Sequence, residues 1–132
     1  MDNSEIALLI PCYNVAARLP NLLRMALNQT VPFAEIICYD DCSQDATAEI
    51  ASAAGARVIR GKENRGAAYA RNRLLENASA KFVHFHDAGD ELAPDYNAKI
   101  LPFLRDDTAV VCAVRQCWES LPAKKNCGDL SI

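Results

Sequence analysis

The chain is 132 residues long and 51% hydrophobic, enough for one core and too little for two, so a single compact domain is expected. Its formal net charge of −3 argues against a nucleic-acid partner, and an anionic ligand must then be met by a metal or by local arginines. No run approaches the roughly 18 to 20 uninterrupted apolar residues of a spanning helix, and Met1-Asp2-Asn3-Ser4-Glu5 is not the basic start of a secretion signal; the expectation is a soluble, cytoplasmic protein, with peripheral attachment to a membrane enzyme system left open.

Ile6 to Ile10 is a continuous apolar run ending at Pro11, the pattern of a strand covered on both faces, and Cys12-Tyr13-Asn14 forms the loop at its end. Leu19, Leu22, Leu23, Ala26 and Leu27 recur at helical spacing, so Arg18 to Gln29 reads as an amphipathic helix with Pro20 in its first turn. A second apolar run, Glu35 to Tyr39, ends in Asp40-Asp41-Cys42-Ser43-Gln44-Asp45, small polar residues suited to a turn and a helix cap. The helix that follows runs from Thr47 to Ala54 and closes at Gly55. Arg57 to Ile59 is a third strand, leading through the polar loop Arg60 to Gly66 into a helix of good helix formers, Ala67 to Asn77. Phe82, Val83 and Phe85 have the aromatic and β-branched character of a fourth strand, after which Asp87, Asp90 and Glu91 crowd three carboxylates into one turn. Pro94 opens a further helix to about Leu101, Ala109 to Val114 is a fifth strand, and residues 115 to 132 carry no assignable pattern.

Strand and helix alternate four times, the pattern of an α/β fold with an open, mainly parallel sheet and helices on both faces. Right-handed crossovers place the loops after the first, second and fourth strands on one edge, beyond the carboxyl ends of the strands, where open α/β sheets bind ligands. Tyr13, Asp41 and the turn Asp87 to Glu91 are therefore expected to be neighbours in space. Carboxylates crowded as in that turn repel one another unless a cation lies between them, and a divalent metal is the natural guest.

Each candidate has a plainer alternative. Asp40 and Asp41 suit the acceptance of hydrogen bonds from a base or ribose, or one of them caps the next helix, as Asp45 or Ser43 could. Tyr13 offers an aromatic face to a flat base, or it packs. Arg71 carries permanent charge on a fork suited to phosphate, or it is an ordinary surface ion pair. His84 and His86 share one face of a strand and, with Asp87, imitate the H-x-H-x-D start of a metallohydrolase site; such sites need more histidines than these two, and satisfied half-buried imidazoles are the other reading. Six cysteines without C-x-x-C spacing (Cys12, Cys38, Cys42, Cys112, Cys117 and Cys127) are expected to be reduced structural thiols, with Cys117 and Cys127 the exceptions to watch. The dinucleotide fingerprint, the P-loop, the G-x-S-x-G elbow and a Ser-His-Asp arrangement are all missing.

Five segments together resemble the family 2 glycosyltransferases of the GT-A fold: residues 8 to 14 (Leu-Leu-Ile-Pro-Cys-Tyr-Asn), 29 to 30 (Gln-Thr), 35 to 47 (Glu-Ile-Ile-Cys-Tyr-Asp-Asp-Cys-Ser-Gln-Asp-Ala-Thr), 64 to 72 (Asn-Arg-Gly-Ala-Ala-Tyr-Ala-Arg-Asn) and 82 to 90 (Phe-Val-His-Phe-His-Asp-Ala-Gly-Asp). They stand in the family's order and spacing and cover about residues 5 to 114. The resemblance implies an inverting transfer of a sugar from a nucleotide diphosphate to an acceptor hydroxyl on a saccharide, lipid or protein. It implies that Pro11 and Tyr13 lie against the nucleotide, that Asp41 accepts a hydrogen bond from the base, and that Arg71 lies near the diphosphate. Asp87 and Asp90 would belong to the D-x-D region that holds ribose and Mn²⁺ or Mg²⁺. Where the family commonly has Asp-Ala-Asp-Asp this chain has Asp-Ala-Gly-Asp, so Asp90 becomes the principal metal ligand, with Asp87 supporting it and Glu91 at the margin. The family binds its acceptor, and supplies the catalytic base, in the half of the domain after the fifth strand. A truncated version of the fold is therefore expected, incomplete for catalysis by itself, with a completing subunit or self-association; a nonenzymatic nucleotide-sugar-binding module is the alternative.

Overall fold

The computed structural model describes residues 5–105, and the chain divides into one compact unit up to Asn97 and another from Ala98. The first unit holds four strands, β1 (Ile6–Cys12), β2 (Glu35–Asp40), β3 (Arg57–Arg60) and β4 (Phe82–Phe85). They form one parallel sheet in the order β3-β2-β1-β4, with Ile10 opposite Cys38 and Leu8 opposite His84. Between them run α1 (Leu19–Leu27), α2 (Thr47–Ala53) and α3 (Ala67–Asn77). A short α4 (Tyr96–Ile100) leads into a 3₁₀ turn, Leu101–Phe103.

The core splits along the two-residue period of β1. Leu8, Ile10 and Cys12 face one side, where Leu19, Leu22, Leu23 and Ala26 of α1 and Ala51 of α2 cover them. Ala7 and Leu9 face the other, against Ala70 and Leu74 of α3. Leu8, Leu9 and Ile10 are completely buried, each contributing about 1.5–3 kcal/mol of transfer free energy. A strand apolar at every position is what a sheet covered on both faces requires. The open parallel α/β sheet read from the sequence is thus the architecture of the first unit.

The boundaries moved in informative ways. β1 does not stop at Ile10 but runs through Pro11 to Cys12. Its pairing with β4 ends at Leu9, whose carbonyl accepts the N–H of His86 (3.0 Å), while Cys12 O accepts the N–H of Asp41 on the β2 side (2.9 Å). Backbone groups two residues apart point the same way, so the N–H that proline lacks would face the β4 side beyond that strand's last pair, and no ladder bond is lost. α1 begins at Leu19 and ends before Asn28, whose side-chain amide donates to Arg24 O (2.9 Å). Gln29, expected in the helix, is instead buried beyond it: its amide donates to Ala93 O (2.5 Å) and its oxygen accepts the N–H of Asn97 (3.1 Å).

Cys12, Cys38 and Cys42 are free thiols, the first two buried. The expected fifth strand, Ala109 to Val114, the tail 115–132 and the other three cysteines lie outside the described residues. Among the described residues no helix is long and apolar enough to cross a membrane.

Candidate functional site

The carboxyl ends of β1, β2 and β4 and the start of α3 enclose an open cleft of about 330 Å³, within the usual range for small-molecule sites. Its walls include Pro11 near the end of β1 and Tyr13 just after it, Asp41 after β2, Arg71 on α3 and Asp87 after β4. These residues come from four separate segments, and parallel topology brings them together.

The loops after β1 and β2 are laced into one piece. Asn14 N–H donates to Ser43 Oγ (2.9 Å), Gln44 N–H to Asn14 Oδ1 (2.8 Å), Val15 N–H to Thr47 Oγ1 (3.0 Å) and Ala16 N–H to Asp45 Oδ2 (3.1 Å). Asn14 and Cys42 both adopt positive φ (50° and 62°), a conformation uncommon outside glycine. The Thr47 hydroxyl, followed by the backbone N–H groups of Ala16 and Thr47, holds the Asp45 carboxyl below the usual carboxylate range. Tyr13 stands clear of this lacing, 46% exposed at the cleft wall.

Adjacent Asp40 and Asp41 do different work. Asp40 closes its own loop, its Oδ1 accepting the N–H of Ser43 (3.1 Å). Asp41 is 4% exposed and accepts two backbone N–H groups at 2.8 Å, Arg65 on Oδ1 and Gly66 on Oδ2. It therefore clamps the start of α3 to the end of β2. Gly66, at φ 94°, is the residue that can make that turn without a steric penalty. Each Asp41 oxygen keeps a second lone pair for a ligand.

Arg71 reaches Asp87 at 3.9 Å across the cleft; both are substantially exposed, so the pair contributes little to stability. Asp90 and Glu91 follow in an exposed turn closed by Asp90 N–H to Asp87 O (3.0 Å) and anchored by buried Ala88 and Leu92. Among the described residues no three His, Cys, Asp or Glu side chains converge to cage a metal by themselves. Asp87 lines the cleft and Asp90, expected as the principal ligand, does not; exposed carboxylates are nevertheless the donor chemistry that suits Mg²⁺ or Mn²⁺ when diphosphate and water oxygens supply the remaining ligands.

The histidines belong to a different arrangement from the one their spacing imitates. His84 Nδ1 meets Tyr96 Oη (3.1 Å), His84 Nε2 meets His86 Nδ1 (3.0 Å), and His86 Nε2 meets the carbonyls of Asp90 (3.3 Å) and Glu91 (3.1 Å). Burial first, then the neighbouring His86, lower the His84 pKa to about 4. With every ring nitrogen occupied and no metal-ligating trio among the described residues, the metallohydrolase arrangement of His84, His86 and Asp87 has no support. Sequence reasoning on single residues passed over Asn64, Gly66, Ala67 and Ala70, which also line the cleft. The signal for them was the small-residue run Gly66-Ala67-Ala68 beside Arg71, since small side chains leave a cleft open.

The sequence pattern described as Glycosyl transferase family 2 matches residues 7–125. The chain belongs to that family. It is 33% identical over 106 residues to the putative teichuronic acid biosynthesis glycosyltransferase TuaG of Bacillus subtilis (strain 168), covering 76% of this chain and 42% of TuaG. It is 33% identical over 115 residues to the putative glycosyltransferase EpsH of the same organism, covering 84% of this chain and 33% of EpsH. Among solved structures, the mannosyltransferase PcManGT from Pyrobaculum calidifontis, in complex with GDP-Man and Mn²⁺, superposes with a TM-score of 0.76 at 25% identity, over 87% of this chain and 37% of that one. S. aureus TarS 1-349 in complex with UDP-GlcNAc gives 0.70 at 27% identity, over 74% and 30%. This family 2 chain has the GT-A form of the open α/β sheet and spans less than half the length of these relatives.

Proposed function

We propose that the cleft binds a nucleotide-diphosphate sugar and that the chain is the donor-binding part of an inverting, metal-assisted glycosyltransferase. The observation that carries this reading is the gathering of an aromatic ring, a buried carboxylate, a guanidinium and an exposed carboxylate (Tyr13, Asp41, Arg71 and Asp87) around one cleft. GDP-Man and UDP-GlcNAc in the related structures support the ligand class, and the Mn²⁺ with GDP-Man supports a divalent cation.

Tyr13 stacks on the base, and Asp41, held by two backbone donors, uses a remaining lone pair for a base N–H. Arg71 balances the diphosphate charge. Asp90, with Asp87 supporting it, would hold Mg²⁺ or Mn²⁺, which when bound neutralises charge on the departing nucleotide. In the transfer, an acceptor hydroxyl oxygen bonds to the anomeric carbon on the face opposite the diphosphate. The carbon–phosphate oxygen bond breaks with its electron pair leaving on the nucleotide, and the hydroxyl proton passes to a base. The acceptor and that base are assigned to none of the described residues.

The test is calorimetric titration of UDP, GDP and their sugars into the chain with Mn²⁺ and with EDTA, followed by hydrolysis and transfer assays. Metal-promoted binding of one nucleotide, its sugar and its diphosphate supports the reading. Binding without turnover in the presence of candidate acceptors points instead to a nonenzymatic nucleotide-sugar-binding module, and no binding of any nucleotide refutes both.

A further inference from the structure

The acidic turn after β4 has one position without a side chain, and an arginine from another element covers it. A Cβ built on Gly89 would lie 2.8 Å from Nη1 of Arg18 and 3.5 Å from its Cδ and Cζ, so the guanidinium lies over the glycine. Gly89 does not adopt the left-handed conformation that Gly55 and Gly66 do, so backbone strain does not call for glycine here, and the nearest atoms a Cβ would meet are those of the flexible Arg18 side chain. Any larger residue at position 89 would push the guanidinium aside. Among the described residues no hydrogen bond or ion pair reaches that guanidinium, although Asp87, Asp90 and Glu91 share the turn. Its five N–H donors are unspent.

We infer that Arg18, which stands outside the residues lining the cleft, binds the diphosphate from beside it, its charge standing where a carboxylate at position 89 would otherwise be. The inference rests on the nucleotide-sugar reading above. Asp87 lines the cleft and Gly89 is two residues further, within about 7 Å along the chain, so a phosphate held near Asp87 is in reach of an arginine side chain. Arg71 comes from α3 on one face of the sheet, whereas Arg18 immediately precedes α1 on the other. Two guanidiniums thus approach the turn from opposite sides, each able to bind phosphate oxygens bidentately. A turn with three carboxylates repels a diphosphate unless cations offset them, and guanidiniums do this without a metal. Diphosphate affinity therefore persists in part when divalent ions are removed, with Arg18 carrying a share of it beside Arg71.

The test is titration of UDP, GDP, uridine and guanosine into the full chain in EDTA and in Mn²⁺, using wild type, Arg18→Ala, Arg18→Lys and Gly89→Asp, with folding checked by circular dichroism. Wild type is expected to bind its nucleoside diphosphate measurably in EDTA. Arg18→Ala weakens that binding about tenfold or more, as loss of charge-assisted hydrogen bonds does, while leaving the matching nucleoside unchanged; Arg18→Lys recovers part. Gly89→Asp weakens EDTA binding similarly and recovers more than wild type on adding Mn²⁺. Equal diphosphate affinity for Arg18→Ala and wild type in EDTA, or equal losses for diphosphate and nucleoside, overturns the role. So does a wild type that binds the diphosphate only with Mn²⁺, which leaves the nucleotide site itself standing. A wild type that binds no nucleotide under any condition removes the site and this role together.

Discussion

Replacing Asp41 with alanine removes both acceptors that hold the start of α3. Two N–H groups, of Arg65 and Gly66, lose partners at 2.8 Å, and each bond involves a charged acceptor. Such bonds contribute about 1.5–3 kcal/mol apiece, so complete loss would cost about 3–6 kcal/mol. Arg65 is exposed, and the space vacated by the carboxylate lets water reach its N–H, which reduces the expected cost to about 2–4 kcal/mol. A domain with a typical stability of about 5–15 kcal/mol survives this, but with its midpoint lowered by roughly 10 °C. Asp41→Asn keeps one carbonyl acceptor and turns an amide N–H toward a backbone N–H, so it should lose about half as much or more. The assay is urea and thermal unfolding of the full chain followed by circular dichroism, with nucleotide affinity measured on the same samples below the transition. An Asp41→Ala chain that melts with wild type would refute the clamp; one that is destabilised yet binds nucleotide as tightly would refute the ligand role and leave the clamp.

Tyr13 is 46% exposed and belongs to neither buried cluster of the core, so Tyr13→Ala should leave unfolding midpoints within a degree or two while weakening nucleotide binding by about 1–3 kcal/mol; equal affinity would remove the stacking role. His84 should titrate near 4 by NMR, and a value near 6.5 would show its ring to be solvated. Because its folded pKa lies below the unfolded value, the unfolded chain binds more protons between the two. Stability attributable to this histidine is thus present above pH 6.5 and lost as pH falls toward 4, by about 2 kcal/mol after allowing for partial exposure; His84→Gln should flatten that slope. Gly61→Ala would set a Cβ 2.6 Å from Tyr39 Oη and 3.2 Å from Asp40 O, so it should cost about 1–3 kcal/mol in urea unfolding; no loss would mean that the β2 end yields freely.

Much of the fold was legible because burial leaves a periodic mark. The continuous apolar run Ile6 to Ile10 suited a strand with both faces covered, which it is, and α3 ran from Ala67 to Asn77 as its helix formers indicated. Once crossovers were taken as right-handed, the meeting of Tyr13, Asp41 and Asp87 at one edge followed, and one cleft contains them. What stayed hidden were bonds between side chains and distant backbone. Asp41 is tied to N–H groups 24 and 25 residues away, and a backbone donor leaves no trace in residue identity. The i, i+2 spacing of His84 and His86 was visible, but their third member, Tyr96, arrives from another element. Arg18 looked like one more polar residue ahead of a helix, since only coordinates reveal that it lies over Gly89.

Proline at position 11 bears on solubility as well as on the ladder. β1 projects past the last pair it makes with β4, and a projecting strand with a free donor is a template to which another polypeptide can add. The imide nitrogen offers nothing to such an intruder. The lip of the cleft can therefore stand open to a small ligand while offering a stray strand one backbone donor fewer to pair with.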